Sequence, residues 1–259
     1  MKKILVVSDM HCGSLNGLTP PSWMISSKRN KRISKLQEEM WGCYTDWVKE
    51  IGSVDLLVCN GDLIDGKARK NGGVELLTTD MISQTDIALE CLDEVKYKDA
   101  LFTYGTSYHV SNSAGDDYER IIADHCKGTI DSRLRFNIEG VKFDVRHHVS
   151  SSSVPNGRFS AIAKNRFWDI ITAEKSQGDP SNVYIRSHVH YYNYCGGADW
   201  CAFCTPALQS PGTDYGARIC VGDTDFGLML FTVDDGLLTG WTLKTKNLDN
   251  VNRDVIYID

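Results

Sequence analysis

Three short apolar segments of this chain each end in a cluster of aspartate and histidine. The segments are residues 4–7, 55–59 and 183–186, and the clusters are Asp9-Met10-His11, Gly61-Asp62-Leu63-Ile64-Asp65 and His188-Val189-His190. Such apolar runs are typical of strands buried on both faces, as in a parallel sheet. Because parallel strands end at one edge of their sheet, the pattern predicts that these scattered side chains meet there. A two-metal hydrolytic site requires a cluster of this kind.

The order of the predicted elements is that of an α/β protein. Residues 33–51 carry apolar side chains at three- and four-residue steps, which predicts a helix between the first two strands and completes a βαβ unit. The same reasoning predicts helices over 76–95, 116–126 and 159–174, a loop over 150–157, strands over 101–104, 135–138 and 141–145, and a β meander that includes 228–233 and 238–243. No linker divides the chain, so residues 1–259 are expected to form a single domain.

Composition restricts the class of protein. The formal net charge of -6 argues against a protein that coats nucleic acid or anionic membrane through bulk charge. No stretch approaches the roughly 20 apolar residues that span a bilayer. Nine dispersed cysteines, and an N-terminus without a signal sequence, predict free thiols in a reducing cytoplasm. A zinc site of Cys195, Cys201, Cys204 and Cys220 stays open, but small buried thiols are favoured because two C-x-x-C pairs are lacking.

The spacing within the clusters suits metal binding. Side chains two apart on an extended strand end point the same way, so Asp9 with His11, and His188 with His190, can each present two ligands to one point. A mixture of carboxylate and imidazole suits first-row divalent metals. Two divalent ions are therefore expected, with Mn²⁺ favoured and iron, zinc and nickel as alternatives.

The ordered motifs resemble those of the calcineurin-like metallophosphoesterases, whose signature is D-x-H, G-D-x-x-D, G-N-H-D/E, a lone His and G-H-x-H. The resemblance covers residues 9–190 and implies a four-layer α/β/β/α sandwich. Carried over to this chain, it assigns Asp9, His11 and His190 to one metal. It assigns Asp62 as the bridge between the two metals and as a catalytic residue. His147 and His188 would complete the second metal site.

The third motif departs from the family pattern. Where the family has G-N-H-D/E, this chain has Gly105-Thr106-Ser107-Tyr108-His109, which resembles a G-T-x-x-H variant in bacteriophage-type members. The hypothesis is that His109 enters the site as the missing metal ligand or as the general acid, with Thr106 at most a weak contact. The alternative is that His109 caps the following turn. The last motif has Ser187 in place of glycine, which is a smaller change.

Several neighbouring residues receive supporting roles. His147 and His148 are adjacent, so strand alternation should send them to opposite faces and leave one as a ligand. The first is favoured, with His148 orienting it or meeting substrate. Asp65 is expected to orient a ligand or to form part of the turn, which is favoured over a role as a metal ligand itself. A structural role is assigned to His125. The acidic residues Asp116, Asp117 and Glu119 could approach the metals, but a helix start that interacts with its own dipole is favoured.

The expected activity is hydrolysis of a phosphate mono- or diester by metal-activated hydroxide at a binuclear site. A DNA or RNA nuclease on the same site, a mononuclear hydrolase and a catalytically impaired module that binds metal or phosphate are the alternatives. A basic cluster could contact a nucleic-acid backbone, although a solvated face is favoured. Its members are Lys28, Arg29, Lys31, Arg32 and Lys35, flanked by Trp23 and Trp41. The expected partner is a phosphate-ester substrate, for which a nucleotide or nucleic acid is one possibility. The expected location is the cytoplasm, which would be that of the host for a phage protein. The sequence leaves the oligomeric state open.

Overall fold

A computed structural model of the protein describes residues 1–67, 72–110, 117–152, 154–210 and 224–248. Its helices are α1 (Lys31–Ile51), α2 (Met81–Asp93), α3 (Ser107–Val110), α4 (Tyr118–His125) and α5 (Pro155–Ser176). Its strands are β1 (Lys2–Val7), β2 (Val54–Asn60), β3 (Tyr97–Thr103), β4 (Thr129–Asp131), β5 (Leu134–Ile138), β6 (Val141–Val145), β7 (Val183–Arg186), β8 (Asn193–Gly196), β9 (Cys201–Cys204), β10 (Phe226–Asp234) and β11 (Leu237–Lys246).

The strands form two sheets. The first has the order β11-β10-β1-β2-β3-β4, in which β1 to β4 are parallel and β10 pairs antiparallel with both β1 and β11. The second has the order β5-β6-β7-β9-β8, in which β6, β7 and β9 are parallel and the two edge strands are antiparallel. Both sheets therefore have parallel strands at their centres, whose carboxyl ends can hold a site.

The sheets pack face to face between two layers of helices. Alternate residues of β1 point to opposite layers: Leu5 and Val7 pack in the core shared with α1 and α2, whereas Ile4 and Val6 pack in the core between the sheets. A third core lies between the second sheet and α5, where Ile162 is fully buried. The predicted α/β/β/α sandwich is confirmed by this layering.

The helices differ from their predicted ranges at their first turns. The helix predicted over 76–95 begins at Met81, because Asp80 accepts a hydrogen bond from the Ser83 nitrogen (2.9 Å) and caps it. The loop predicted over 150–157 is wrong in its last three residues, since Pro155 begins α5. Proline suits the first position of a helix, because the N–H that it lacks would have no partner within the helix.

Within the described part of the chain, no helix has the length and apolar content needed to cross a membrane.

The C-terminal half shows the largest differences from the predicted strands. The strands predicted over 135–138 and 141–145 are confirmed as an antiparallel pair, and the turn between them places Glu139 and Gly140 at the positive φ of a tight primed turn. The strands predicted over 228–233 and 238–243 are confirmed as β10 and β11, which pair antiparallel. They do not continue a meander, because β10 pairs next with β1 of the first sheet while β8 and β9 join the second. The short strands β4, β8 and β9 escaped prediction, since segments of three or four residues carry little periodicity.

Candidate metal centre

The predicted clusters lie at the carboxyl ends of the central strands of both sheets. The ends of β1 and β2 are level, since Val7 lies beside Cys59, and the two loops that follow are joined through their backbones. The nitrogen of Asp9 donates to the Gly61 carbonyl and that of His11 to the Asp62 carbonyl, each over 3.0 Å. The first two motifs therefore form one unit.

The backbone adopts an uncommon conformation at most of the candidate ligands. Among the described residues, nine other than glycine have a positive φ, and five of these nine are Asp9 (49°), His11 (45°), Asp62 (53°), His188 (74°) and His190 (57°). A positive φ at such residues costs free energy and persists where the surroundings enforce it, which is common at functional sites. The concentration of these conformations where the strand ends of the two sheets meet marks that place as a built site.

The first group of converging side chains is Asp9, His11 and His190. The Nε2 atom of His190 lies 3.3 Å from Oδ1 of Asp9 and 3.3 Å from Nε2 of His11. The Oδ1 atom of Asp9 is buried, and no residue in the described ranges hydrogen-bonds to it. One ligand atom from each residue lies within 4.8 Å of the others, so these three could hold a metal ion together.

The second group is Asp62, His147 and His188. The Nδ1 atom of His147 donates to the Asn60 carbonyl (2.8 Å), which leaves its Nε2 atom 3.0 Å from Oδ2 of Asp62. The Nδ1 atom of His188 lies 4.0 Å from the same oxygen, and its backbone nitrogen donates to Oδ2 of Asp9 (3.2 Å). The two groups are therefore neighbours, connected through Asp9.

A third group brings His109 to the same place, with His11 and Asp62. The Nδ1 atom of His109 donates to the carbonyl of Asp65 (2.6 Å), and its ring packs edge-on against that of His11 at 4.8 Å. Burial, followed by the charge of His11, holds the pKa of His109 below its ordinary value. The displaced histidine of the third motif thus lies beside the candidate ligands, as the hypothesis of its entry into the site requires.

Asp65 contacts two of these imidazoles. Its Oδ1 atom accepts from Nδ1 of His11 (2.8 Å), and its carbonyl accepts from His109. Because each bond uses Nδ1, the Nε2 atom of each imidazole ring is left pointing toward the cluster. These are the contacts expected of a residue that orients metal ligands.

Thr106 makes more than the weak contact expected of it. Its nitrogen donates to Oδ1 of Asp62 (2.5 Å) and its hydroxyl to Oδ2 (3.0 Å). The hydroxyl oxygen also lies 3.2 Å from Nδ1 of His188. Thr106 therefore holds the central carboxylate by both oxygens.

His147 and His148 are separated by packing. His147 is buried, whereas His148 is exposed with its ring 4.8 Å from that of His188. Strand alternation is the wrong reason for this outcome, because β6 ends at Val145 and both histidines follow it. The bond to Asn60 selects the orientation of His147.

Two buried polar residues lie beside the cluster; sequence reasoning missed Asn60, and for Glu119 it favoured a helix start over an approach to the metals. The Nδ2 atom of Asn60 donates to the Ser187 hydroxyl (2.5 Å) and its Oδ1 accepts from that of Thr103 (2.6 Å), which ties together the ends of β2, β3 and β7. Glu119 was assigned to a helix start, yet it points inward and is completely buried. An amide that ends a buried strand, directly before a motif, is a signal that could have revealed Asn60.

The rest of the acidic group behaves as predicted where it is described. Asp117 caps α4 by accepting from the Arg120 nitrogen (2.9 Å), while Asp116 lies outside the described residues. Burial, followed by the charge of Asp62, raises the pKa of Glu119 to about 8. His125 is exposed at the end of the same helix.

The residues at this edge fit a divalent cation. Burial works against the charge of His147, but Asp62 and Asp9 outweigh it and raise the pKa of the imidazole to about 10. The same negative potential attracts a metal ion. The Nε2 atom of His147 is buried and makes no hydrogen bond within the described ranges, although Asp62 is near. Imidazole nitrogens and carboxylate oxygens that converge in this way are suited to manganese, iron, zinc or nickel.

The other predicted candidates lie elsewhere. The five cationic side chains of the basic cluster are all exposed, and the indole of Trp23 donates to Glu90 (3.1 Å). All eight described cysteines are free, and none belongs to a metal-capable group of the described residues. Cys195 lies on β8, and Cys201 and Cys204 lie on the adjoining β9. Cys220 is outside the described residues.

Comparison with known proteins bears on the first part of the chain. Residues 2–110 match the model of the family described as calcineurin-like phosphoesterase. The matched segment is less than half of the chain; it includes Asp9, Asp62 and His109 and ends before His147. No curated protein matches the chain.

Solved structures resemble the chain at low sequence identity. A single mutant of Vps29 from Entamoeba histolytica has a TM-score of 0.44 at 11% identity, over 95% of this chain and 99% of that one. An archaeal phosphodiesterase has a TM-score of 0.43 at 13% identity, over 94% and 99%. A predicted phosphoesterase from Streptococcus pneumoniae TIGR4 has a TM-score of 0.39 at 12% identity, over 90% and 84%. Similarity at this level does not bear on the activity of this chain.

Proposed function

We propose that this protein is a metal-dependent phosphoesterase that hydrolyses a phosphate mono- or diester at a binuclear site. The observation that carries the proposal is the position of Asp62, which groups with His147 and His188 on one side and with His11 on the other. A carboxylate in that position is suited to bridge two cations. The proposed ligands are Asp9, His11, Asp62, His147, His188 and His190.

The side chains around the ligands have separate tasks in this proposal. Cations bound here would polarise a phosphoryl oxygen. They would also lower the pKa of a bound water molecule, so that hydroxide is available near neutral pH. Asp65 fixes the ring of His11, and Thr106 fixes the carboxylate of Asp62. The Nε2 atom of His109 either completes the ligand set or holds the proton that the leaving-group oxygen takes. Manganese is the favoured metal, with iron, zinc and nickel as alternatives.

The direct test is a substrate panel with the full chain and Mn²⁺. The panel comprises p-nitrophenyl phosphate, bis(p-nitrophenyl) phosphate and linear DNA. We expect hydrolysis of at least one aryl ester, loss of activity on chelation and recovery when Mn²⁺ is restored. The Asp62→Asn variant should lose at least about 100-fold in rate, since even residues that only orient ligands are worth 10- to 100-fold.

Two results would contradict the proposal in different ways. Bound metal without hydrolysis of any substrate in the panel would favour a module that binds metal or phosphate without catalysis. One equivalent of metal per active chain, by elemental analysis, would favour a mononuclear hydrolase.

A nuclease activity is the second candidate, and the exposed basic cluster favours it. Lys28 and Arg29 lie just before α1, and Lys31 is the first residue of that helix. If they contact a phosphate backbone, cleavage of single-stranded DNA should fall steeply with salt, because counterions are released on binding. Hydrolysis of bis(p-nitrophenyl) phosphate supplies the control, since it should depend little on salt.

A further inference from the structure

The carboxylate of Glu119 joins two loops of the candidate site. Its Oε1 atom accepts from the Leu63 nitrogen (3.1 Å), and its Oε2 atom accepts from the Gly105 nitrogen (2.7 Å). Leu63 directly follows Asp62, and Gly105 directly precedes Thr106. One buried side chain from α4 thus holds the loop after β2 and the loop after β3.

The two loops approach each other closely at Asp62. A Cβ atom added to Gly105 would lie 2.2 Å from both the nitrogen and Oδ1 of Asp62, so the glycine backbone packs directly against the aspartate. Thr106, the next residue, donates to both oxygens of that carboxylate. A shift of the Gly105 backbone would therefore displace the donors that orient Asp62.

Glu119 contacts backbone amides and is not a member of the metal-capable groups found among the described residues. Both of its oxygens are directed at N–H groups, and the side chain is fully buried. Buried amides need acceptors, and here a side chain supplies two at once. Its effect on the site therefore passes through the two loops.

We infer that Glu119 is a positioning residue for Asp62, which it holds in place by fastening the Leu63 and Gly105 amides to the two oxygens of one carboxyl group. This inference rests on the proposed function, in which Asp62 bridges two cations. In this chain the family's asparagine is replaced by Thr106, whose backbone and hydroxyl must be placed accurately to hold the bridge. Glu119 supplies that placement.

The test compares Glu119→Gln with Glu119→Asp, using Asp124→Asn as a control on the exposed face of the same helix. Glutamine has the same shape, but it turns an N–H group toward one of the two amides. Mn²⁺ binding to the apo full chain is measured by calorimetry. We expect Glu119→Gln to bind Mn²⁺ about 10- to 100-fold more weakly, as for other residues that orient ligands. The control should bind like wild type.

Amide hydrogen exchange gives a second measurement that needs no variant. In the wild-type protein, Mn²⁺ should slow exchange at Leu63 and Gly105 together, because Glu119 fastens both amides in the loops that hold Asp62. Unchanged exchange at these two amides would overturn the inference, even if every variant failed to fold. Wild-type Mn²⁺ affinity in a folded Glu119→Gln would also overturn it.

These readouts separate this inference from the proposed function. Absence of hydrolysis by wild type, with weakened Mn²⁺ binding in Glu119→Gln, would reject the activity and keep the positioning role. Normal hydrolysis with unchanged Mn²⁺ binding in the variant would do the reverse.

Discussion

Thr106 donates two hydrogen bonds to Asp62, from its nitrogen to Oδ1 (2.5 Å) and from its hydroxyl to Oδ2 (3.0 Å). With both oxygens held, the carboxylate has one orientation, and its Oδ2 edge faces His147 at 3.0 Å. A backbone bond alone would leave the carboxylate freer to rotate about its terminal bond. The hydroxyl therefore has a role that the backbone nitrogen cannot take over.

Removal of that hydroxyl should lower activity while the fold is kept. Thr106→Ala loses the bond to Oδ2 and retains the bond from the nitrogen, so we expect turnover with Mn²⁺ to fall about 10-fold, the equivalent of one bond to a charged group. Thr106→Ser keeps the hydroxyl and should remain within about twofold of wild type. Initial rates on an aryl phosphate ester measure both, and equal losses in the two variants would contradict the assigned role.

Asp65 should affect the affinity of the site for metal. Asp65→Ala removes the acceptor for Nδ1 of His11, so the ring can rotate and the Kd for Mn²⁺ should rise about 10- to 100-fold. Asp65→Asn retains an acceptor oxygen and should show a smaller rise. Asp86→Asn, at an exposed carboxylate on α2, serves as the control. A Kd for Asp65→Ala equal to that of the control would refute this role.

The adjacent histidines should behave differently when each is replaced. His147→Ala removes an imidazole that lies against Asp62, and we expect loss of at least one metal equivalent. His148→Ala changes an exposed ring, so metal content should stay at the wild-type value. Elemental analysis of both purified variants makes the comparison. Metal loss on replacement of His148, with retention on replacement of His147, would reverse the assignment.

His109 should prove necessary for turnover. We expect His109→Ala to be about 100-fold slower, the lower range of a general acid's contribution. If the ring donates a proton, the rate of hydrolysis should fall more for an alkyl ester than for a p-nitrophenyl ester, whose leaving group departs without a proton. Metal content should then be unchanged. If the ring is a ligand, metal content should fall and the rate of hydrolysis should fall equally for both esters. Unchanged turnover and metal content would place His109 outside the site.

A pH-dependent contribution to stability is expected at Asp55. Hydrogen bonds from the Lys98 ammonium and then the Lys3 nitrogen hold the pKa of this carboxyl at about 2, below its ordinary 3.8. A carboxyl whose pKa is lowered on folding stabilises the fold above its unfolded value, and this stabilisation is lost as pH falls through the folded value.

Asp55→Asn should therefore be less stable than wild type at pH 7 by up to about 1 kcal/mol, since Lys98 is exposed and water screens the pair. The difference in urea midpoint should shrink between pH 5 and pH 3, as the carboxyl in the unfolded chain takes up its proton. A difference that stayed constant over that range would show that the charge is not responsible.

The sequence by itself determined where the main strands and helices lie and at which strand ends the candidate ligands are placed. In β1, Ile4 to Val7 are all apolar, which is the pattern of a strand covered on both faces, and the Asp-x-His that follows is local to that strand end. The same holds for Asp62 and for the pair His188 and His190. Such features are local, because side-chain periodicity reports which faces are buried without reference to distant residues.

The tertiary structure decided which neighbours hold those residues. The choice of His147 over His148 depends on the Asn60 carbonyl, 87 positions away in the sequence. Glu119 had the sequence context of an ordinary helix start, and it turned inward because two loop amides needed an acceptor there. Hydrogen bonds between distant segments depend on where packing places each backbone group, and the local pattern of side chains does not encode that placement.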